Sequence, residues 1–179
     1  MKKKRLVFGG IAEAIGCNGL AIVQLTDIER TRAICVVCDQ NMKYQIGLRT
    51  AHAATGKLLP EVLVAVLGDI ADANRFEINI YNLVDGEYKT VVQDSNSLRE
   101  YPIRLSDAIV LALISNSSIF MEESLFYSQS MPYKETAGSL SIPINSLAED
   151  ELLAELKKAV DNENYRLASL IQAELKKRK

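Results

Sequence analysis

The chain has 179 residues, 48% of them apolar, with 21 basic and 23 acidic side chains. This suffices for one domain of moderate size, or one domain with a small appendage, built on a true core. With no apolar run of eighteen residues, a transmembrane helix is not expected. Lys2 to Arg5 is basic, but the apolar run after it is broken by Gly9, Gly10 and Glu13, so no signal peptide is expected either. The three cysteines, Cys17, Cys35 and Cys38, are an odd number and do not suggest a disulfide framework. A reduced, cytoplasmic setting is expected. Residues 6–145 hold sixteen acidic and ten basic side chains, a net of −6, while residues 146–179 hold seven of each. A nucleic-acid binder usually shows a basic face. Here basic clusters occur only in the tails, Lys2–Arg5 and Lys176–Lys179, which read as solvated ends.

In chain order, residues 5–9 and 19–26 read as strands, with Asp27 to Thr31 as a turn. The β-branched run Ala33 to Cys38 predicts a buried third strand. Asp39 is placed to cap a helix running to about Ala54, with Gly56 as its stop. Pro60 suits the first turn of the next helix, about Glu61 to Ala73, whose apolar face would be Leu63, Val66, Leu67 and Ile70. From Phe76 the period changes to two, and Asp85-Gly86 marks a hairpin turn before Tyr88 to Val92. Leu98 to Ile103 predicts another strand, and Asp107 to Ile114 a largely apolar, buried helix. Ile119 to Met121 is a short strand and Glu122 to Ser130 a helix. Met131 to Asn145, with Pro132, Gly138 and Pro143, reads as a linker. A helical pair closes the chain. Leu152, Leu153, Leu156, Ala159 and Val160 line its first helix, and Tyr165, Ala168, Ile171 and Leu175 its second. A pair this small needs a further surface, so Leu167 and Leu170 are expected to meet another chain or the core domain. The mixture of helices, strands and a hairpin argues for an α+β fold with a mixed sheet.

The segment Arg104 to Asp107 is the first candidate site. It is a polar run at the seam between a strand and an apolar helix. Ser106 is positioned to cap that helix. Asp107 falls in its first turn, where the macrodipole favours negative charge. Arg104 is within reach of Asp107 or of an outside anion. Two readings stand: a helix cap with an internal ion pair, or a polar cluster lining a cleft. Ser106 is not read as a triad nucleophile, because the one histidine, His52, falls in a different predicted helix. His52 itself reads as structural or surface. Cys35 and Cys38 look like half a zinc site, but only Cys17 and His52 remain to complete it. Residues three apart on a strand also face opposite ways, so both read as core thiols. Asp39, Asp107, Glu122 and Glu123 are the carboxylates able to hold Mg²⁺ or Mn²⁺. They form no tight constellation in sequence, and Glu122-Glu123 also reads as an acidic helix start.

Arg104-Leu105-Ser106-Asp107-Ala108-Ile109-Val110-Leu111-Ala112, followed by the strand and acidic helix start Ser118 to Glu123, resembles the bifunctional nuclease domain family. Ile78 to Gly86 resembles that family's central hairpin. Ala159 to Ile171 resembles the UVR motif, which some bacterial members carry at the C-terminus and which is associated with protein–protein contacts. The resemblance implies a core over residues 1–130, a linker over 131–145 and a UVR-like hairpin over 146–179. It implies metal-assisted cleavage of DNA or RNA, with Arg104, Ser106 and Asp107 at the matching positions. In that role Asp107 would hold Mg²⁺ or Mn²⁺ or orient water, and Arg104 would bind phosphate. A homo-oligomer is expected by analogy with the fold. The sequence departs from the family where Arg-Pro-Leu-Thr-His-Asp-Leu is typical. Here Lys57-Leu58-Leu59-Pro60-Glu61-Val62-Leu63 offers neither the His nor the Asp. An acidic position in the first helix falls on Asn41. Two functions therefore remain: a nuclease with a protein-binding hairpin, or a degenerate core acting as a protein-interaction module.

Overall fold

Apolar and β-branched residues fill Leu20–Asp27 and Arg32–Asp39 almost end to end, and both segments form strands buried along most of their length. The structure is a computed structural model describing residues 2–15, 19–70, 75–133, 135 and 139–178. Its elements are β1 (Lys3–Ala14), β2 (Leu20–Asp27), β3 (Arg32–Asp39), α1 (Gln40–Thr50) and α2 (Leu59–Ile70). Then follow β4 (Phe76–Val84), β5 (Glu87–Asp94), β6 (Glu100–Arg104), α3 (Leu105–Ser115), β7 (Ser118–Glu122) and α4 (Glu123–Gln129). Short strands β8 (Met131–Pro132) and β9 (Ser139–Leu140) precede a 3-10 turn at Ile144–Ser146, then α5 (Glu149–Asp161) and α6 (Tyr165–Lys177).

The fold is α+β, on a mixed sheet ordered β6-β5-β4-β7-β1-β2-β3-β8 among the described residues. β4–β7 and β1–β9 are parallel; the other pairs are antiparallel. β2 runs along one edge of β1, while β7 and β9 take opposite ends of the other. A bulge between Phe8 and Gly10 lets β1 continue beyond its two glycines, and Gly10 adopts φ +145°, a conformation L side chains rarely take. β1 therefore extends to Ala14 instead of stopping at Gly9. The sheet curls, so that Val36 and Cys38 of β3 and Tyr88 of β5 join one core with Met42 and Ile46 of α1 and Ala108 and Ile109 of α3. The even positions Ile78 and Ile80 point into that core, as the alternation predicts.

Several sequence expectations shift. α1 ends at Thr50, not Ala54, because His52 takes a left-handed φ of 53°. The amide of Ala53 donates to Leu48 O (2.9 Å) and that of His52 to Arg49 O (3.2 Å), a Schellman stop with histidine where glycine is usual. His52 is thus an exposed turn residue, not a helical one. Leu63, Val66 and Leu67, read from the sequence as the apolar face of α2, are about half exposed, and the Ile70 side chain lies outside the described residues. The last strand before α3 runs over Glu100–Arg104, since Leu98 turns through φ 57°. The segment read as a linker carries β8 and β9, paired to β3 and β1. The basic start of the chain is not a free end: Lys3, Lys4 and Arg5 sit in β1 opposite β7. Cys17 lies outside the described residues.

The helical pair closes on Leu152, Ala159, Ala168 and Ile171, with Leu167 and Leu147 packed alongside. Leu167 therefore belongs to the pair's own small core, together with Ile144 and Leu147 beneath it, while Leu170 faces solvent. The pair docks on the β4–β5 turn. Asp85 accepts from the amide of Glu149 (2.8 Å) and pairs with Arg178 (3.6 Å), which also donates to Leu147 O (2.7 Å) and Asn145 O (3.0 Å) within the C-terminal segment itself.

Candidate functional site

β6 ends at Arg104, and α3 begins at the next residue because Leu105 is drawn into the core. Arg104 therefore occupies the N-cap position, and no side chain caps the helix there. The expected cap, Ser106, lies inside the first turn instead. It lines a cleft of about 240 Å³ with Arg104 and Leu105. Asp107 falls in the same turn and accepts from Arg104 Nε at 2.6 Å, but its side chain is not among those lining the cleft. The three candidates are thus brought together within one turn of helix.

The far walls come from distant parts of the chain. β3 supplies Cys35 to Asp39, α1 supplies Met42, and the β4–β5 turn and β5 supply Gly86, Glu87 and Tyr88. Asp39 caps α1 by accepting the amide of Met42 at 2.7 Å, as its sequence position predicts. Glu87 and Tyr88 were not singled out in sequence. The register that pairs Lys89 with Arg104 across β5 and β6 brings them there. That register follows from the Asp85-Gly86 turn and the spacing to Arg104, so the signal was present. Tyr88 is almost wholly buried, its hydroxyl has no hydrogen-bond partner, and burial pushes its ionisation up.

The electrostatics of the cleft centre on Arg104. The hydrogen bond and charge of Asp107, with Asp39 and Glu87 behind them, hold the guanidinium above its ordinary range. The two thiols are chemically quiet: burial pushes Cys35 and Cys38 each up to about 11. They also belong to different packing clusters, Cys35 with Ala14 and Ile22, Cys38 with the main core. Glu122, Glu123 and His52 take no part in the cleft. Glu122 ends β7 and accepts from Ser124 Oγ (2.7 Å), and Glu123 opens α4.

Among the described residues no group of three or more His, Cys, Asp or Glu side chains is arranged to hold a metal ion. A fully protein-caged ion does not fit this donor set.

The family model for the bifunctional nuclease domain matches residues 23–134. The chain belongs to the bifunctional nuclease domain family. The match runs from β2 to just beyond β8, so it takes in β3, α1, the hairpin and the whole Arg104–Asp107 turn. The helical pair α5–α6 lies outside it. A search of curated proteins found no match. Among the described residues, no helix is long and apolar enough to cross a membrane.

Proposed function

We propose that this family member cleaves nucleic-acid phosphodiesters at the Arg104 cleft. The observation that carries the reading is Arg104, which lines an open cleft at an uncapped helix N-terminus within the family-matched segment and is paired from outside the lining by Asp107. Arg104 offers a planar fork of donors suited to two phosphate oxygens. The free amides of the first turn of α3 and the Ser106 hydroxyl add neutral donors beside it. When phosphate takes the guanidinium, Asp107 is released from its partner and becomes available to orient water. An Mg²⁺ or Mn²⁺ ion, held by Asp107 and the substrate, would supply polarisation of the phosphate and a more acidic water.

The test is an assay of the full chain on single- and double-stranded DNA and on RNA, with Mg²⁺ or Mn²⁺. The expected result is metal-dependent cleavage, reduced ~100-fold or more in Asp107→Ala and Arg104→Ala. Both side chains are solvent-facing, so circular dichroism should show the variants folded. No cleavage on any substrate, or equal cleavage by Asp107→Ala, would overturn this reading.

One observation favours a second reading. Arg104 is already countered by Asp107 and lies in the field of Asp39 and Glu87, so the cleft disfavours an anion unless a cation accompanies it. In that reading the core is catalytically degenerate and the chain works as an interaction module. The UVR-like pair would then offer Leu153, Val160 and Leu170, all exposed, to a protein partner. A null result in the nuclease assay would favour it.

A further inference from the structure

α2 carries apolar residues on almost every side, the signature of a helix buried all round. The structure gives it no such surroundings. Between Leu59 and Gly68, only Pro60, Glu61 and Val64 are even half-buried. Glu61 is turned inward, with its two carboxylate oxygens 2.8 and 2.9 Å from Arg49 Nη2. The outer side is a continuous stripe of Leu58, Leu59, Val62, Leu63, Val66 and Leu67, each 37–70% exposed. Beside it lies a small apolar pocket between Val64, Phe76 and Leu111, with room for one aliphatic side chain.

We propose that this stripe is the seat of a second copy of the same chain. Three observations select that occupant. The stripe itself holds no charge, so it gives a charged peptide or a nucleic acid nothing to pair with, and Lys57 is the one basic residue beside it, short of the Lys- and Arg-rich polar face of a membrane-surface helix. The α5–α6 pair, which carries apolar faces of its own, is already docked on the β4–β5 turn. The stripe repeats at i and i+4, Leu59-Leu63-Leu67 and Val62-Val66, so a two-fold axis through its middle sets ridges of one copy into grooves of the other. Area agrees: the stripe offers on the order of 500 Å² per copy, so a pair buries ~1,000 Å², the threshold for a specific interface. A patch of this size matches the largest that a typical monomer exposes, and such patches often serve a function.

The experiment is sedimentation of the full chain and of Val62→Glu/Val66→Glu over roughly 1–100 µM, a range bracketing interfaces of this size. Both side chains are solvent-facing, and unchanged circular dichroism checks that the variant is folded. The parent should form dimers, with the variant's dissociation constant raised ~100-fold or more. Hydrogen exchange of α2 amides should slow with concentration in the parent and not in the variant. A parent that stays monomeric throughout, or a variant that assembles equally well, would overturn the proposal. So would a monomeric parent that floats with phosphatidylcholine vesicles through this stripe, since the occupant would then be a bilayer.

Discussion

Asp94 accepts from Arg75 (2.6 Å), the Ser97 hydroxyl (2.8 Å) and the Asn96 amide (3.0 Å), with only 3% of its side chain exposed. These donors, Arg75 first, outweigh its burial and hold its carboxyl down at about 2. The unfolded chain's Asp titrates near ~4, so added acid protonates the unfolded state first. The stabilisation is complete above ~pH 4, declines between there and about 2, and is absent below. Asp94→Asn should flatten that limb of a melting-temperature profile recorded by calorimetry. An unchanged limb would show that Asp94 does not govern it. Arg49 and Glu61 make a second buried pair, with side chains 4% and 12% exposed, that ties α2 to α1. Removing one partner leaves an uncompensated buried charge, so Glu61→Ala should cost about 3–5 kcal/mol in urea unfolding. Replacing both, as Arg49→Met with Glu61→Leu, should recover most of that loss.

At the scale of elements, the docking of the α5–α6 pair turns on one glycine. Asp85 and Gly86 take φ 49° and 77°, the two positive values of a type I′ hairpin turn. A β-carbon on Gly86 would lie 2.8 Å from Leu147 O and 3.0 Å from Ser146 O. Gly86→Ala should therefore cost ~1–3 kcal/mol and loosen the pair. Hydrogen exchange would show faster amides in α5 and α6 with β2 and β3 unaffected. Uniform protection in the variant would mean the pair is held elsewhere. The turn itself was plain in the sequence, because Asp-Gly between alternating strands has few other uses. So was Asp39 as a cap. The start of α3 was misplaced by two residues, because burial of Leu105 outweighed the capping preference of Ser106. The stop of α1 was missed because a histidine does the work sequence rules assign to Gly56. β8 and β9 were missed as well: two-residue strands have no period and exist only through partners far away in the chain.

For the whole molecule, charge sets the terms on which nucleic acid is met. The net of −6 over residues 6–145 leaves few cations to displace counterions. Part of the basic start is also spent, since Lys3 pairs with Glu77 and Lys4 with Glu29, each at 3.7 Å. Metal-free binding to a random DNA duplex should be weaker than ~10 µM at physiological salt. Lys176→Gln/Lys177→Gln should reduce its salt dependence further, as read by fluorescence anisotropy. Tight, salt-sensitive binding that survives this change would point to a basic surface elsewhere. The mixed fold and the Arg104–Asp107 turn were legible because each depends on neighbours in sequence. The cleft's other wall was not, because it depends on the curl that brings β3 beside β5. Part of the exposed stripe on α2 was legible as an apolar face, Leu63, Val66 and Leu67, but sequence shows that a surface is apolar, not what covers it.

The position of β1 has a kinetic consequence. Its first residues pair with β7, Lys3 with Glu122 and Leu6 with Ile119, so the strand nearest the N-terminus has partners more than a hundred residues downstream. Contacts so far apart are slow to form, since the loop between them must be closed first. During synthesis, β1, β2 and β3 can assemble as a local meander while one edge of β1 stays open. That edge closes only when β7 leaves the ribosome. Until then the nascent chain presents an unpaired strand, the hazard that folded sheets keep covered. The Phe8–Gly10 bulge falls within β1, and a kinked strand makes a poor template for a passing chain. The same irregularity that lets β1 run long would then also protect the chain while it waits.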